Sequence, residues 1–256
     1  GENAKAVSST RYLAQVEKDM PYTAKRYFDL KYTDEEVGHR DMSFFVYDVE
    51  VFAWDFLVIF KSRATGEYTI IHNDTDALIE FMREHADDVF IGFNSKSYDQ
   101  YIIKGIAGGL DNAQIKELND YIIKGNQGWQ CPLLDRNFFR FNNVDIRDDM
   151  QKGLSLKAIE GHLGLSVQET TVPFDLDRPL TKGELDETIF YCKHDVDCTE
   201  KLVELRENYL INKVNIGRLA GLDDVRAMSM TNAKLTAALL KASAKPHDDE
   251  LSLIHI

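Results

Sequence analysis

The stretch Tyr47-Asp48-Val49-Glu50-Val51-Phe52 (YDVEVF) extends the apolar run Ser43-Phe44-Phe45-Val46 and sets two carboxylates inside it. Its aromatic and β-branched residues predict a strand over 43–50. Side chains along a strand alternate between faces, so Asp48 and Glu50 share one face while Tyr47, Val49 and Val51 take the other. Two neighbouring carboxylates repel each other, and flanking aromatics strip them of water, unless a cation or a proton compensates. A divalent metal would compensate. The plain alternative is the solvated rim of an ordinary strand, and this stretch by itself does not choose between them.

The surrounding sequence continues the strand signal. A second strand is predicted from about Trp54 to Lys61, a turn at Ala64-Thr65-Gly66 and a third strand from Glu67 to His72, an antiparallel meander. A helix is predicted over about Asp76 to His85, then a short strand from Val89 to Phe93 that runs into GFNSKSYDQYIIKG. Helices are predicted near Tyr98 to Gly105 and Ala113 to Ile123, a strand at Asn143 to Arg147, and a compact helix over 153–165 closed by Gly164. Thr181-Lys182-Gly183-Glu184 has the T-x-x-E capping-box pattern and opens a long helix, about Glu184 to Tyr209. Strands first, then alternating helices and strands, predict an α/β fold with a mixed sheet flanked by helices. Residues 1–42 form an N-terminal extension, 43–210 the main domain, and 211–256 a C-terminal helical segment ending in LSLIHI, a tail that reads as an expression remnant. The repeated YIIKG at 101–105 and 121–125 lacks flanking similarity and is not a structural repeat.

The 256 residues have a formal net charge of −13, with 44% hydrophobic and 29% charged residues. That balance suits a globular protein, and disfavours a general nucleic-acid coat or a binder of anionic membranes. It does not disfavour an enzyme whose site is a metal-loaded carboxylate cluster. No apolar run is long enough to span a bilayer and the N-terminus lacks a secretory pattern, so an intracellular, cytoplasmic protein is expected. Cys131, Cys192 and Cys198 have no C-x-x-C spacing and are expected as reduced thiols.

More acids complete the pattern. In YCKHD, Tyr191 and Asp195 stand four residues apart and share a helix face, while the adjacent His194 faces elsewhere. In NSKSYD, Asp99 opens a helix just after a strand. Asp48-x-Glu50, then Asn94 to Asp99, then Tyr191 to Asp195, in this order, resemble the three exonuclease motifs of the DEDD superfamily in its tyrosine-bearing branch. Singly, Tyr191 also fits a core tyrosine, Asp99 a helix cap and Asp195 a solvated face; three motifs in order make those readings the poorer ones. The chain further resembles the proofreading domain of family B DNA polymerases of the phage, protein-primed kind. Ser155-Leu156-Lys157-Ala158-Ile159 is similar to the family's motif for holding single-stranded DNA, Asp175-Leu176-Asp177-Arg178-Pro179 to the run leading into the third motif, and Met230 to Leu235 to a link toward a polymerase module. The likeness covers about residues 43 to 235. It departs where relatives carry a lysine before the D-x-D-x-x-P run, since Pro173 and Phe174 stand there.

The resemblance implies a ribonuclease H-like fold and a two-metal 3′→5′ exonuclease acting on single-stranded or frayed DNA, as the proofreading part of a polymerase whose module would follow in the same chain. Asp48, Glu50, Asp99 and Asp195 would hold two Mg²⁺ or Mn²⁺ ions, with Tyr191 orienting the attacking water; Asn94, Ser155 and Leu156 would grip the strand. An exoribonuclease of the same superfamily and a non-catalytic nucleic-acid-binding module are the alternatives. His72-Asn73-Asp74-Thr75-Asp76 contains a D-T-D that resembles a polymerase metal hairpin, but its place before a helix predicts Asp74 or Thr75 as an N-cap instead.

Overall fold

The computed structural model describes residues 42–134, 139–151, 153–164, 168 and 170–242. The expected N-terminal extension and the LSLIHI tail lie outside the described residues. The meander is β1 (Phe44–Val51), β2 (Phe56–Ser62) and β3 (Tyr68–His72), with β1–β2 and β2–β3 antiparallel. Helix α1 (Thr75–Glu84) then returns the chain to β4 (Val89–Gly92), and α2 (Asp99–Ala107) and α3 (Asn112–Ile123) precede β5 (Asn142–Asp145). β4 runs parallel to β1 and β5 parallel to β4, giving a five-stranded mixed sheet of order β3-β2-β1-β4-β5. Helices α4 (Leu156–Leu163) and α5 (Lys182–Leu205) follow.

Strand alternation sorts the two faces of β1. Phe45, Tyr47, Val49 and Val51 join Phe60, Phe90, Ile102, Ile106 and Leu118 in a core beneath α1, α2 and α3. The other face presents Asp48 and Glu50, opposite the buried Ile59 and Leu57 of β2, and α5 lies along β1 and β2 there. The acids are therefore held on a strand whose opposite face is fully committed to apolar packing.

Caps account for several boundaries. Asp74 caps α1 by accepting from the Ala77 N–H, so the D-T-D run is a helix start. Thr181 and Glu184 form the reciprocal capping box of α5, and Gly164 closes α4 in the left-handed conformation that glycine adopts freely. Several expected boundaries shift, among them the strand expected to reach Arg147, which ends at Asp145. β2 begins at Phe56 because a turn precedes it, in which the Phe52 N–H bonds to the Asp55 carbonyl and Trp54 stays exposed. α4 begins at Leu156 because Ser155 is its N-cap. The long helix ends at Leu205, where Arg206 turns to donate to the backbone carbonyls of Ile146 and Asp148.

The residues divide into two compact units, one running to Asn208 and one from Tyr209. The second unit holds most of α6 (Glu207–Leu219), with α7 (Asp224–Ser229) and α8 (Asn232–Leu239). Within it Arg218 pairs with Asp224 at 2.7 Å, and Gly217 permits a close approach, since a Cβ there would lie 2.2 Å from the Ala227 Cβ. Thr231, within the run that resembles a link to a polymerase module, caps α8. Among the described residues no helix is long and apolar enough to cross a membrane.

Candidate active site

Four acids distant in sequence meet in one cleft of about 370 Å³: Asp48 and Glu50 from β1, Asp99 from the first turn of α2, and Asp195 from the middle of α5. Each arrives for a local reason. Asp48 and Glu50 follow the strand alternation, and Asp99 follows from the loop between β4 and α2. Asp195 lies one turn beyond Tyr191 on the face of α5 that packs on the sheet, along with the buried Cys192, Val196 and Thr199. The Cys192 thiol contacts an Asp48 oxygen at 3.5 Å.

The loop that delivers Asp99 is built by a residue that no sequence motif singles out. Asp145, at the end of β5, accepts from the backbone N–H groups of Asn94 (2.9 Å), Lys96 (3.1 Å) and Arg147 (2.9 Å). These bonds hold Asn94 at φ 61°, a conformation asparagine tolerates better than most residues. Gly92 permits the fold-back, because a Cβ there would lie 2.6 Å from the Ser95 Cβ and 3.1 Å from the Tyr47 ring. The Asn94 side-chain oxygen accepts from Arg147 Nη1 at 2.6 Å.

Burial raises all four carboxyls, and repulsion from the other acids of the cleft adds to it at Asp48 and Glu50. Burial, then Asp195 and Asp99, push the Glu50 carboxyl up to about 8. Burial holds Asp48 well above the usual carboxylate range, with Asp99, Glu50 and Asp195 adding to it. Asp99 is pushed up to about 7 by burial, opposed by its own and the Val49 backbone N–H groups. Asp195 is raised to about 6 by burial, partly offset by the Tyr191 hydroxyl, which donates to it. Burial and the neighbouring Asp195 also hold the Tyr191 phenol above its ordinary value, so it stays protonated.

Hard divalent cations fit this donor set. The converging atoms are carboxylate oxygens, as Mg²⁺ and Mn²⁺ prefer, and one Asp195 oxygen is buried without a hydrogen bond. Asp48 and Glu50 have oxygens close enough to share one ion, with the Cys192 sulfur in the same group.

Asn94, Ser155 and Leu156 line the same cleft. The Ser155 Oγ already accepts from the Ala158 N–H at 3.1 Å, which leaves its proton to donate. Two cations that the motifs do not mark also stand here. Arg147 lines the cleft over the Phe93 ring, and Lys157 Nζ lies 5.5 Å from the centroid of the Tyr191 ring, where its charge favours ionised Glu50 and Asp195. In the sequence Arg147 is simply the end of a predicted strand. Lys157 sits in the Ser155–Ile159 motif, and its position one residue past Leu156 is the available signal. After Pro173, the Phe174 ring stacks on the buried Phe52 with centroids 5.1 Å apart. Tyr98 also borders the cleft, but its hydroxyl is tied to Asn119 Oδ1 at 2.6 Å. A scan against protein-family models and a search of curated proteins find no match to the chain.

Proposed function

We propose that this chain is a divalent-metal-dependent 3′→5′ exodeoxyribonuclease acting on single-stranded or frayed DNA, and that it serves as the proofreading domain of a phage-type DNA polymerase. One observation carries the reading: the four acids of the three motifs share a cleft with Asn94, Ser155 and Leu156, the residues expected to grip a strand. The sheet order, with the D-x-E strand at its centre, is compatible with the ribonuclease H-like fold that the motifs imply.

Two bound Mg²⁺ or Mn²⁺ ions would supply charge neutralisation at the phosphoryl oxygens and an acidified water. The protein's part is to present the ligands and aim the substrate. Asp48, Glu50, Asp99 and Asp195 would hold the ions. Tyr191, protonated and anchored through Asp195, orients a water by hydrogen bonding without serving as a base. Arg147 on its wall and Lys157 nearby bring positive charge to a cleft whose other charged lining residues are acids, which suits the terminal phosphate and its neighbour. Asn94 and Ser155 offer side-chain N–H and O–H donors, and Leu156 an apolar contact for a base or sugar.

The test is digestion of an oligonucleotide labelled at its 5′ end, as DNA and as RNA, with Mg²⁺ or with Mn²⁺. A descending ladder from the DNA is expected, faster from a single strand or a mismatched end than from a matched duplex. A short labelled product appearing at once would mean cutting from the other end or internally, and no digestion with either ion would remove the enzyme reading altogether.

A further inference from the structure

A second cluster with different chemistry lies on a neighbouring face of α5. His194 and Cys198 stand four residues apart and project together, toward Glu160 of α4. The Cys198 Sγ lies 3.4 Å from His194 Nε2, and Glu160 Oε2 lies 3.9 Å from the same nitrogen. All three donor atoms fall within 4.8 Å of one another. Glu160 is 1% exposed. The Cys198 thiol is beside its carboxylate, yet no hydrogen bond of normal geometry reaches either oxygen. A buried carboxylate whose nearest donors are a thiol without normal hydrogen-bond geometry and an imidazole nitrogen 3.9 Å away is costly, and nearly all such groups in folded proteins have a well-made partner.

A tetrahedral zinc site, with bonds of about 2.0–2.1 Å to nitrogen and oxygen and about 2.3 Å to sulfur, separates its ligand atoms by roughly 3.3–3.6 Å. The separations from His194 Nε2, 3.4 Å to sulfur and 3.9 Å to oxygen, lie at that spacing or just above it. One imidazole, one thiol and one carboxylate form a borderline-soft set that selects Zn²⁺ over Mg²⁺. We propose that Glu160, His194 and Cys198 form a zinc site that staples α4 to α5, separate from the four-acid cleft. Binding replaces the Cys198 S–H proton by the metal and releases that proton to solvent, while a water takes the fourth position. The His194 side chain is 22% exposed, which provides the entry path. Because α4 begins at Leu156, capped by Ser155, while α5 carries Tyr191 and Asp195, the staple would hold the strand-gripping residues in register with the acids. The zinc site does not depend on whether the cleft is a nuclease.

Cobalt reports on such a site, because a thiolate bound to Co²⁺ has a strong charge-transfer absorption that oxygen ligands lack. The full chain, stripped with chelator and titrated with Co²⁺ and then Zn²⁺ in excess Mg²⁺, should bind about one equivalent with that absorption. Cys198→Ser should abolish the band, and Glu160→Gln should weaken binding by at least about a hundredfold. Glu160→Gln removes a buried carboxylate and so serves as the test if Cys198→Ser does not fold. Cys192→Ser and Asp48→Asn should leave the band intact. A band lost in Cys192→Ser but kept in Cys198→Ser would put the metal beside Asp48 and Glu50 and overturn the proposal. So would the absence of any band, or wild-type affinity in Glu160→Gln.

Discussion

Replacing Asp195 by asparagine should stabilise the metal-free protein at pH 8 and leave it nearly unchanged at pH 4. Asp195 is raised from 3.8 to about 6, chiefly by burial, so its ionised form is disfavoured in the folded state by about 3 kcal/mol. Its folded value lies above its unfolded one, so the folded chain binds more protons through that window. Stability is then intact below pH 4, falls as the pH rises to about 6, and stays low above it. An asparagine in this place does not titrate, keeps the shape, and still offers an oxygen to the Tyr191 hydroxyl. Since neighbouring acids can take up part of the protonation, the expected gain at pH 8 is about 1–3 kcal/mol, or roughly 2–12 °C in Tm for a chain of this size. Melting curves with chelator at pH 4 and pH 8 measure it, and Mg²⁺ should then stabilise the wild type more than the variant. An asparagine variant that melts at or below the wild type at pH 8 would refute the buried-charge account of the cleft.

Asp48→Ala should lower Mg²⁺-dependent digestion by roughly a thousandfold while the circular dichroism spectrum stays native and the melting temperature does not fall, since the loss removes a ligand and a repulsive charge together. Tyr191→Phe should lower kcat by roughly a hundredfold at nearly constant KM; a raised KM at unchanged kcat would show that the hydroxyl holds substrate instead of aiming water. Arg147→Ala should weaken single-stranded DNA binding and reduce the slope of log affinity against log salt by about 0.7, the share of one phosphate contact; an unchanged slope would remove Arg147 from the backbone path. Gly92→Ala should cost about 1–3 kcal/mol in a denaturant titration, because its Cβ would meet Ser95 at 2.6 Å; a neutral substitution would mean that the loop after β4 has room to yield.

How far the site can be read from sequence depends on the range of the interaction that makes each part. Asp48 with Glu50, and Tyr191 with Asp195, follow from the periods of a strand and a helix, which are properties of the local chain. The capping box of α5 and the N-cap Asp74 are legible for the same reason. The mixed α/β sheet follows from the order of elements. Asp145 cannot be found this way, because its three backbone partners lie as far as 51 residues away and nothing near it in sequence signals an anchoring role. Arg147 and Lys157 acquire meaning from what faces them across the cleft. The helix break after Leu205 is likewise a tertiary event, set by Arg206 reaching carbonyls about 60 residues upstream. That the adjacent His194 is offset around α5 from Asp195 follows from helix geometry; its partnership with Glu160 exists only once α4 is laid on α5.

The two faces of β1 explain how a chain can hold four carboxylates together before any cation arrives. Tyr47, Val49 and Val51 are buried on one side of the strand, and a slip of one residue would exchange them for the acids, so the register is held by apolar burial. The same burial therefore positions Asp48 and Glu50, whatever their mutual repulsion. Asp99 is held by the Val49 backbone N–H, and Asp195 by a helix that covers β1 and β2. None of these restraints involves a metal. A cation would meet ligands that are already in place and already raised in free energy, so part of its binding energy comes from relieving repulsion that the core has enforced. That is why removal of one acid is expected to strengthen the fold and weaken the chemistry at once, an opposition that a cluster of solvated surface acids would not produce.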